Sequence, residues 1–144
     1  MNFKEIHIGS LINQLVTESG IEISRICNFM KATEAEIKEM YKEEHLSTDL
    51  LLKWSKLLEY DFFRLYSQHL ILYSPPSSSS SKGLFENKTS APQFRKNIYT
   101  KEVIDFILEQ ISTEEMTKNQ VIERYRIPKT TLYKWISKYG NSKT

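Results

Sequence analysis

A chain of 144 residues that is 40% hydrophobic, with only four glycines and four prolines, has material for one ordinary domain or two small ones, and too few turn-formers for a turn-rich all-β fold. A net charge of +2 is too small to name a partner, and the single cysteine, Cys27, excludes an intramolecular disulfide and a cysteine-only metal site. The first residues lack the apolar run of a signal peptide, and the longest apolar-rich stretch, Phe62 to Tyr73, is interrupted by Arg64, Gln68 and His69 and is shorter than the ~20 residues of a membrane span, so a cytoplasmic protein is expected.

In chain order, Ile8, Leu11, Ile12, Leu15 and Val16 fall on one helical face, and Gly20 is placed to end that helix in a left-handed cap. A second helix is predicted from about Glu22 to Lys31, with Ile26, Phe29 and Met30 pointing inward. Thr33 opens a third, because Thr33 and Glu36 have the spacing of a capping box. Ser47 is a further N-cap, ahead of Leu50, Leu51, Trp54, Leu57 and Leu58. A fifth helix, Phe62 to Tyr73, is apolar on most sides.

The sequence then changes character. Ser74-Pro75-Pro76 followed by five serines has no periodicity and no apolar surface to bury, which predicts a linker over residues 74–94 between a domain at 1–73 and another at 95–144. Beyond it, Thr100 starts a helix with Val103, Ile104, Ile107, Leu108 and Ile111 as its stripe. Thr117 and Gln120 form a second capping box before Val121, Ile122 and Tyr125. Lys129 to Tyr139 makes the last helix, with Leu132, Trp135, Ile136 and Tyr139 inward and Gly140 at its stop. The expected fold class is all-α: two small helical domains joined by a Ser/Pro-rich linker.

Charge divides along the same line. Residues 1–73 hold 8 basic and 11 acidic side chains, a balance of −3, and residues 74–144 hold 12 and 7, a balance of +5. Within residues 117–144 there are 7 basic side chains and one acid, Glu123. A basic cluster of this density is the footprint of a nucleic-acid-binding element.

The stretch from Thr117 to Gly140 has the layout of a helix-turn-helix. Arg126-Ile127-Pro128 forms the turn, Ile127 plugs it from beneath, and Pro128 stops the second helix from running on while suiting the first turn of the third. The core is assigned to Val121, Ile122, Tyr125, Ile127, Leu132, Trp135 and Ile136. The DNA-facing set is Lys118, Asn119, Arg126, Lys129, Thr130, Thr131, Tyr133, Lys134 and Lys138. Within that set, Lys129 is read as reaching guanine O6 or N7, and Thr130 and Thr131 as touching base edges. Lys134, Lys138, the Tyr133 hydroxyl, Lys118 and Asn119 are read as phosphate contacts.

The run from Val121 through Arg126-Ile127-Pro128-Lys129-Thr130-Thr131-Leu132-Tyr133-Lys134-Trp135-Ile136 to Gly140 resembles the helix-turn-helix of insertion-sequence transposases, in particular the small first-reading-frame protein of bacterial elements. Tyr99 to Val103 is similar to that family's opening helix. Arg126 stands where the family usually has glycine, and Ile122 where a small residue is common. The resemblance implies a non-catalytic DNA-binding component, or a regulator derived from one, with double-stranded DNA and a separate catalytic transposase chain as partners. A stand-alone transcriptional regulator is the nearest alternative, and a protein-interaction adaptor or antitoxin-like partner is the alternative of another class.

The first half is similar to a lambda-repressor/Cro-type domain in its helix order, with Lys31 where a glycine is usual between helices two and three. Its third helix carries Glu34, Glu36 and Glu39, which would add repulsion beside phosphates, so association rather than DNA binding is expected. The excess of apolar residues in the fifth helix assigns that association to Phe62, Phe63, Tyr66, Leu70 and Tyr73, with a homo-oligomer as the product. His7, His45 and His69 lie far apart without spaced partners, and Cys27 reads as a small buried hydrophobe. The expectation is therefore no enzyme, no metal, no cofactor and no membrane.

Overall fold

A computed structural model describes residues 2–74, 89–92 and 98–140. Among these residues the secondary structure is wholly helical: α1 (Ile8–Ser19), α2 (Ile23–Met30), α3 (Glu34–Met40), α4 (Thr48–Leu58), α5 (Phe63–Tyr73), α6 (Lys101–Ser112), α7 (Lys118–Tyr125) and α8 (Lys129–Tyr139). The fold is all-α, as the periodicities predict. No helix among the described residues is long and apolar enough to cross a membrane. Most of the expected linker lies outside the described residues.

The chain divides into two compact units, residues 2–66 and residues 67–144. In the first, α4 packs against α1 and α2, and α2 against α3. Ile8, Ile12, Ile26, Ile37, Trp54 and Phe62 are completely buried. Local chemistry sets the helix ends. The His7 ring accepts from the Ser10 amide to open α1, and Gly20 closes it at φ 67°. Thr33 and Glu36 form the expected capping box, with Glu36 N donating to Thr33 Oγ1 at 3.2 Å and Thr33 N to Glu36 Oε2 at 2.8 Å. Gly9 answers a different constraint. The Ile8 and Gly9 amides donate to the Glu44 and Glu43 carbonyls, and a Cβ at residue 9 would collide with three carbonyl oxygens.

In the second unit α6 packs on α7 and α8, which also pack on each other. Val103, Ile107, Val121, Ile127 and Leu132 form its centre. The division falls inside α5, between Tyr66 and Ser67, rather than at the expected boundary after Tyr73. Gln68 explains why. It is only 3% exposed, donates to the Ile98 carbonyl at 3.0 Å, and accepts from Thr100 N and Oγ1 at 3.3 and 3.4 Å. Ile71 and Leu72 are buried beside it in sequence, whereas Phe62 and Leu65 are buried residues of the first unit.

Buried residues of α5 therefore belong to both units, while Phe63, Tyr66 and Tyr73 are half-buried and Leu70 is 58% exposed. Two smaller expectations also change. Phe29 does not point inward but is 45% exposed, because α2 buries the Ile26 and Met30 pair alone. Cys27 is half-buried rather than enclosed.

Candidate nucleic-acid interface

The interface is built on the turn between α7 and α8. Thr117 and Gln120 cap α7 reciprocally: Gln120 N donates to Thr117 Oγ1 at 3.2 Å, and Thr117 N to Gln120 Oε1 at 2.8 Å. Arg126 ends the helix in the left-handed region, φ 56° and ψ 39°, which is what lets the chain reverse within two further residues. Ile127 is buried beneath the turn, as expected of the plug. Pro128 is the N-cap of α8 rather than its first helical residue. Its φ of −58° is the value proline enforces, and its carbonyl accepts the first helical amide, from Leu132, at 3.1 Å.

The expected core positions hold this pair in place. Val121, Tyr125, Leu132 and Trp135 are buried, and Ile122 and Ile136 are half-buried. Tyr125 donates its hydroxyl to Gln110 Oε1 at 2.9 Å, which ties α7 to α6. The Tyr99 ring meets the edge of Trp135 with centroids 4.9 Å apart, and burial raises the pKa of the Tyr99 phenol. The Tyr73 phenol is also raised, first by burial and then by nearby Tyr125, with Arg124 opposing, so the end of α5 lies beside α7.

Of the set expected to face DNA, all but Thr131 are exposed. Lys118, Asn119, Arg126, Lys129, Thr130, Lys134 and Lys138 are exposed, Tyr133 is 43% exposed, and Thr131 is half-buried. The ion pairs found among the described residues are Lys38–Glu34, Lys42–Glu39, Arg64–Asp61 and Lys101–Asp105, and none involves residues 117–140. The one carboxylate on α7, the turn and α8 is Glu123, against Lys118, Arg124, Arg126, Lys129, Lys134 and Lys138. Two of these lysines gather on one ring. Lys118 Nζ lies 5.4 Å and Lys129 Nζ 5.6 Å from the Tyr133 centroid. Lys138 sits over Tyr139 at 5.2 Å.

The α2–α3 pair has the same local geometry, but its second helix is acidic, with Glu34, Glu36 and Glu39 against Lys38. Lys31 is left-handed at φ 52° and ψ 47°, and α3 opens three residues later. There, however, Glu34 pairs with Lys38 at 3.0 Å, Glu39 with Lys42 at 2.7 Å, and Glu36 is engaged in the cap.

Of the residues assigned to association, Phe63, Tyr66, Leu70 and Tyr73 follow one another at i, i+3, i+7 and i+10 along α5. Phe62, Phe63 and Tyr66 belong to the first unit, with Phe62 completely buried, while Leu70 and Tyr73 belong to the second. Of the five, Leu70 alone is strongly exposed, at 58%. Sequence reasoning missed two features. Gln68 was visible as a polar interruption of an apolar run, and Lys129 and Tyr133 stand at the i, i+4 spacing of helical neighbours. Among the described residues no group of three or more His, Cys, Asp and Glu side chains is placed to hold a metal ion. No protein-family model, curated protein or solved structure matches the chain.

Proposed function

We propose that the chain is a sequence-specific DNA-binding protein that lays α8 in the major groove and steadies it through backbone phosphates contacted by α7 and the turn. One observation carries the reading: a helix-turn-helix whose outward face is basic and has no carboxylate partners among the described residues. Elsewhere among the described residues Lys38, Lys42, Arg64 and Lys101 each pair with an acid one turn away, and Lys4, Arg25, Lys31, Lys53 and Lys56 are unpaired but spread among the 11 acids of residues 1–73, whereas residues 117–140 hold one acid, Glu123. Cations left unpaired on one face favour a polyanion, and duplex DNA exchanges its condensed counterions for them. The exposed hydroxyl of Thr130 and the half-buried Thr131 at the leading end of α8 are suited to base edges.

The resemblance to insertion-sequence helix-turn-helix proteins makes recognition of element ends the leading context, with catalysis supplied by another chain. A second copy, associated through residues 2–66, would present two such helices to two half-sites. The acidic, internally paired α3 supports a role other than DNA contact for that unit.

The test is fluorescence anisotropy with the full chain, first against a pool of random duplexes and then against the duplex enriched from it, at two salt concentrations. Binding that weakens steeply with salt and favours the enriched duplex is expected. No binding at low salt would overturn the proposal and favour a protein partner.

A further inference from the structure

We infer that Lys118, Lys129 and Tyr133 form a single clamp for a DNA backbone phosphate, so that Lys129, although it opens the reading helix, anchors the helix rather than reading a base. The inference rests on the DNA-binding reading above and assigns a different role to one of its residues. Lys118 and Lys129 are the first residues of α7 and α8, and their ammonium groups lie 5.4 and 5.6 Å from the centroid of the same exposed ring. The ring's negative face attracts each ammonium. No carboxylate among the described residues pairs with either lysine.

Beside the ring lies a groove of about 580 Å³ whose polar lining includes Thr117, Lys118 and Asn119. Glu114 is the one carboxylate on that lining, and it opposes an anion. Set against it on the lining are the Lys118 ammonium, the Tyr133 hydroxyl and the Asn119 amide, all of them donors to phosphate oxygen, and Lys129 approaches the same ring from the start of α8. A lysine suits this task as a point charge with three rotatable donors. Direction decides the role of Lys129. The Lys129 ammonium is held over the Tyr133 ring, against the surface of α8, rather than extended outward toward base edges. Base discrimination then falls to Thr130 and Thr131.

The experiment uses the full chain and two duplexes, one enriched from a random pool and one scrambled, with Lys118→Ala, Lys129→Ala, the double variant, Tyr133→Leu and Thr131→Ala. Both lysines are exposed, so the fold is retained. Each lysine variant is expected to weaken both duplexes by the same factor and to lower the slope of log K against log salt, and because the lysines share one phosphate the double variant should lower it by no more than about 0.9. Tyr133→Leu should weaken both duplexes alike. Thr131→Ala should instead reduce the preference for the enriched duplex. A Lys129→Ala variant that loses this preference with its salt slope intact would make Lys129 a reader and overturn the clamp. Unchanged slopes in both single variants, with wild-type binding intact, would overturn the clamp alone. Absence of wild-type binding would remove the DNA-binding reading and the clamp together.

Discussion

Gln68 and Thr100, 32 residues apart, are joined through one carboxamide oxygen, which accepts from both the backbone amide and the hydroxyl of Thr100. The other half of the same carboxamide donates to Ile98. Thr100 is the N-cap of α6, its hydroxyl accepting from Val103 N at 3.4 Å, so the bond fixes the start of the helix on which α7 and α8 pack.

Replacing Gln68 by leucine keeps the volume and removes all three hydrogen bonds, leaving Thr100 N and the Ile98 carbonyl to find other partners. The expected loss is about 1–3 kcal/mol, the usual penalty for an unsatisfied buried polar group. The chain's two tryptophans report separately, since Trp54 lies in one unit and Trp135 in the other. Denaturation of single-tryptophan variants should show the Trp135 transition moving to lower denaturant and the Trp54 transition holding. An unmoved Trp135 transition would mean that the Gln68 bonds do not stabilise the C-terminal unit.

The same relationship sets the length of a useful fragment. A piece covering residues 95–144 lacks Gln68, Ile71 and Leu72, whereas a piece covering residues 63–144 retains them. The shorter piece should melt at a clearly lower temperature by circular dichroism and bind duplex more weakly. Equal melting temperatures would show that the end of α5 adds nothing to the unit.

Leu70 and Leu72 look interchangeable in the sequence and are not so in the fold. Leu70 is 58% exposed and Leu72 is 2% exposed. Leu72→Glu buries a carboxylate without a partner and should unfold the C-terminal unit, while Leu70→Glu should leave it folded. Circular dichroism separates the two, and a folded Leu72→Glu variant would contradict the assigned burial. Sedimentation of the folded Leu70→Glu chain then shows whether that side chain takes part in self-association.

Trp135→Ala removes a buried indole and its edge contact with Tyr99. A loss of about 3–5 kcal/mol is expected, enough to unfold a unit of this size. Native thermal unfolding of the C-terminal unit in this variant would place Trp135 outside its core.

What could be read in the sequence was short-range. Thr33 with Glu36, Thr117 with Gln120, Gly20 as a left-handed cap and Ile127 as a plug are features whose causes lie within a few residues of one another. The divided allegiance of α5 was not legible, because a helix whose parts enter different cores shows only a diffuse apolar pattern. Gln68 there resembles a solvent-facing interruption until residues 98 and 100 are seen against it. Phe29 misled for the opposite reason. It fits the apolar stripe of α2, but Ile26 and Met30 already fill the space beneath that short helix. The gathering of Lys118 on Tyr133 joins residues of two helices, which no spacing rule within one helix reveals.

The left-handed backbone at Arg126 has a consequence for how such a protein can change over generations. A side chain at φ 56° costs about 1–2 kcal/mol that glycine would not incur, so the most accessible route to a sturdier turn is to lose the arginine. That step also discards a cation from the face proposed to meet DNA. Robustness of the turn and positive charge on this face are thus set against each other at one codon, and a lineage that retains Arg126 keeps the cation at the expense of a more easily melted turn.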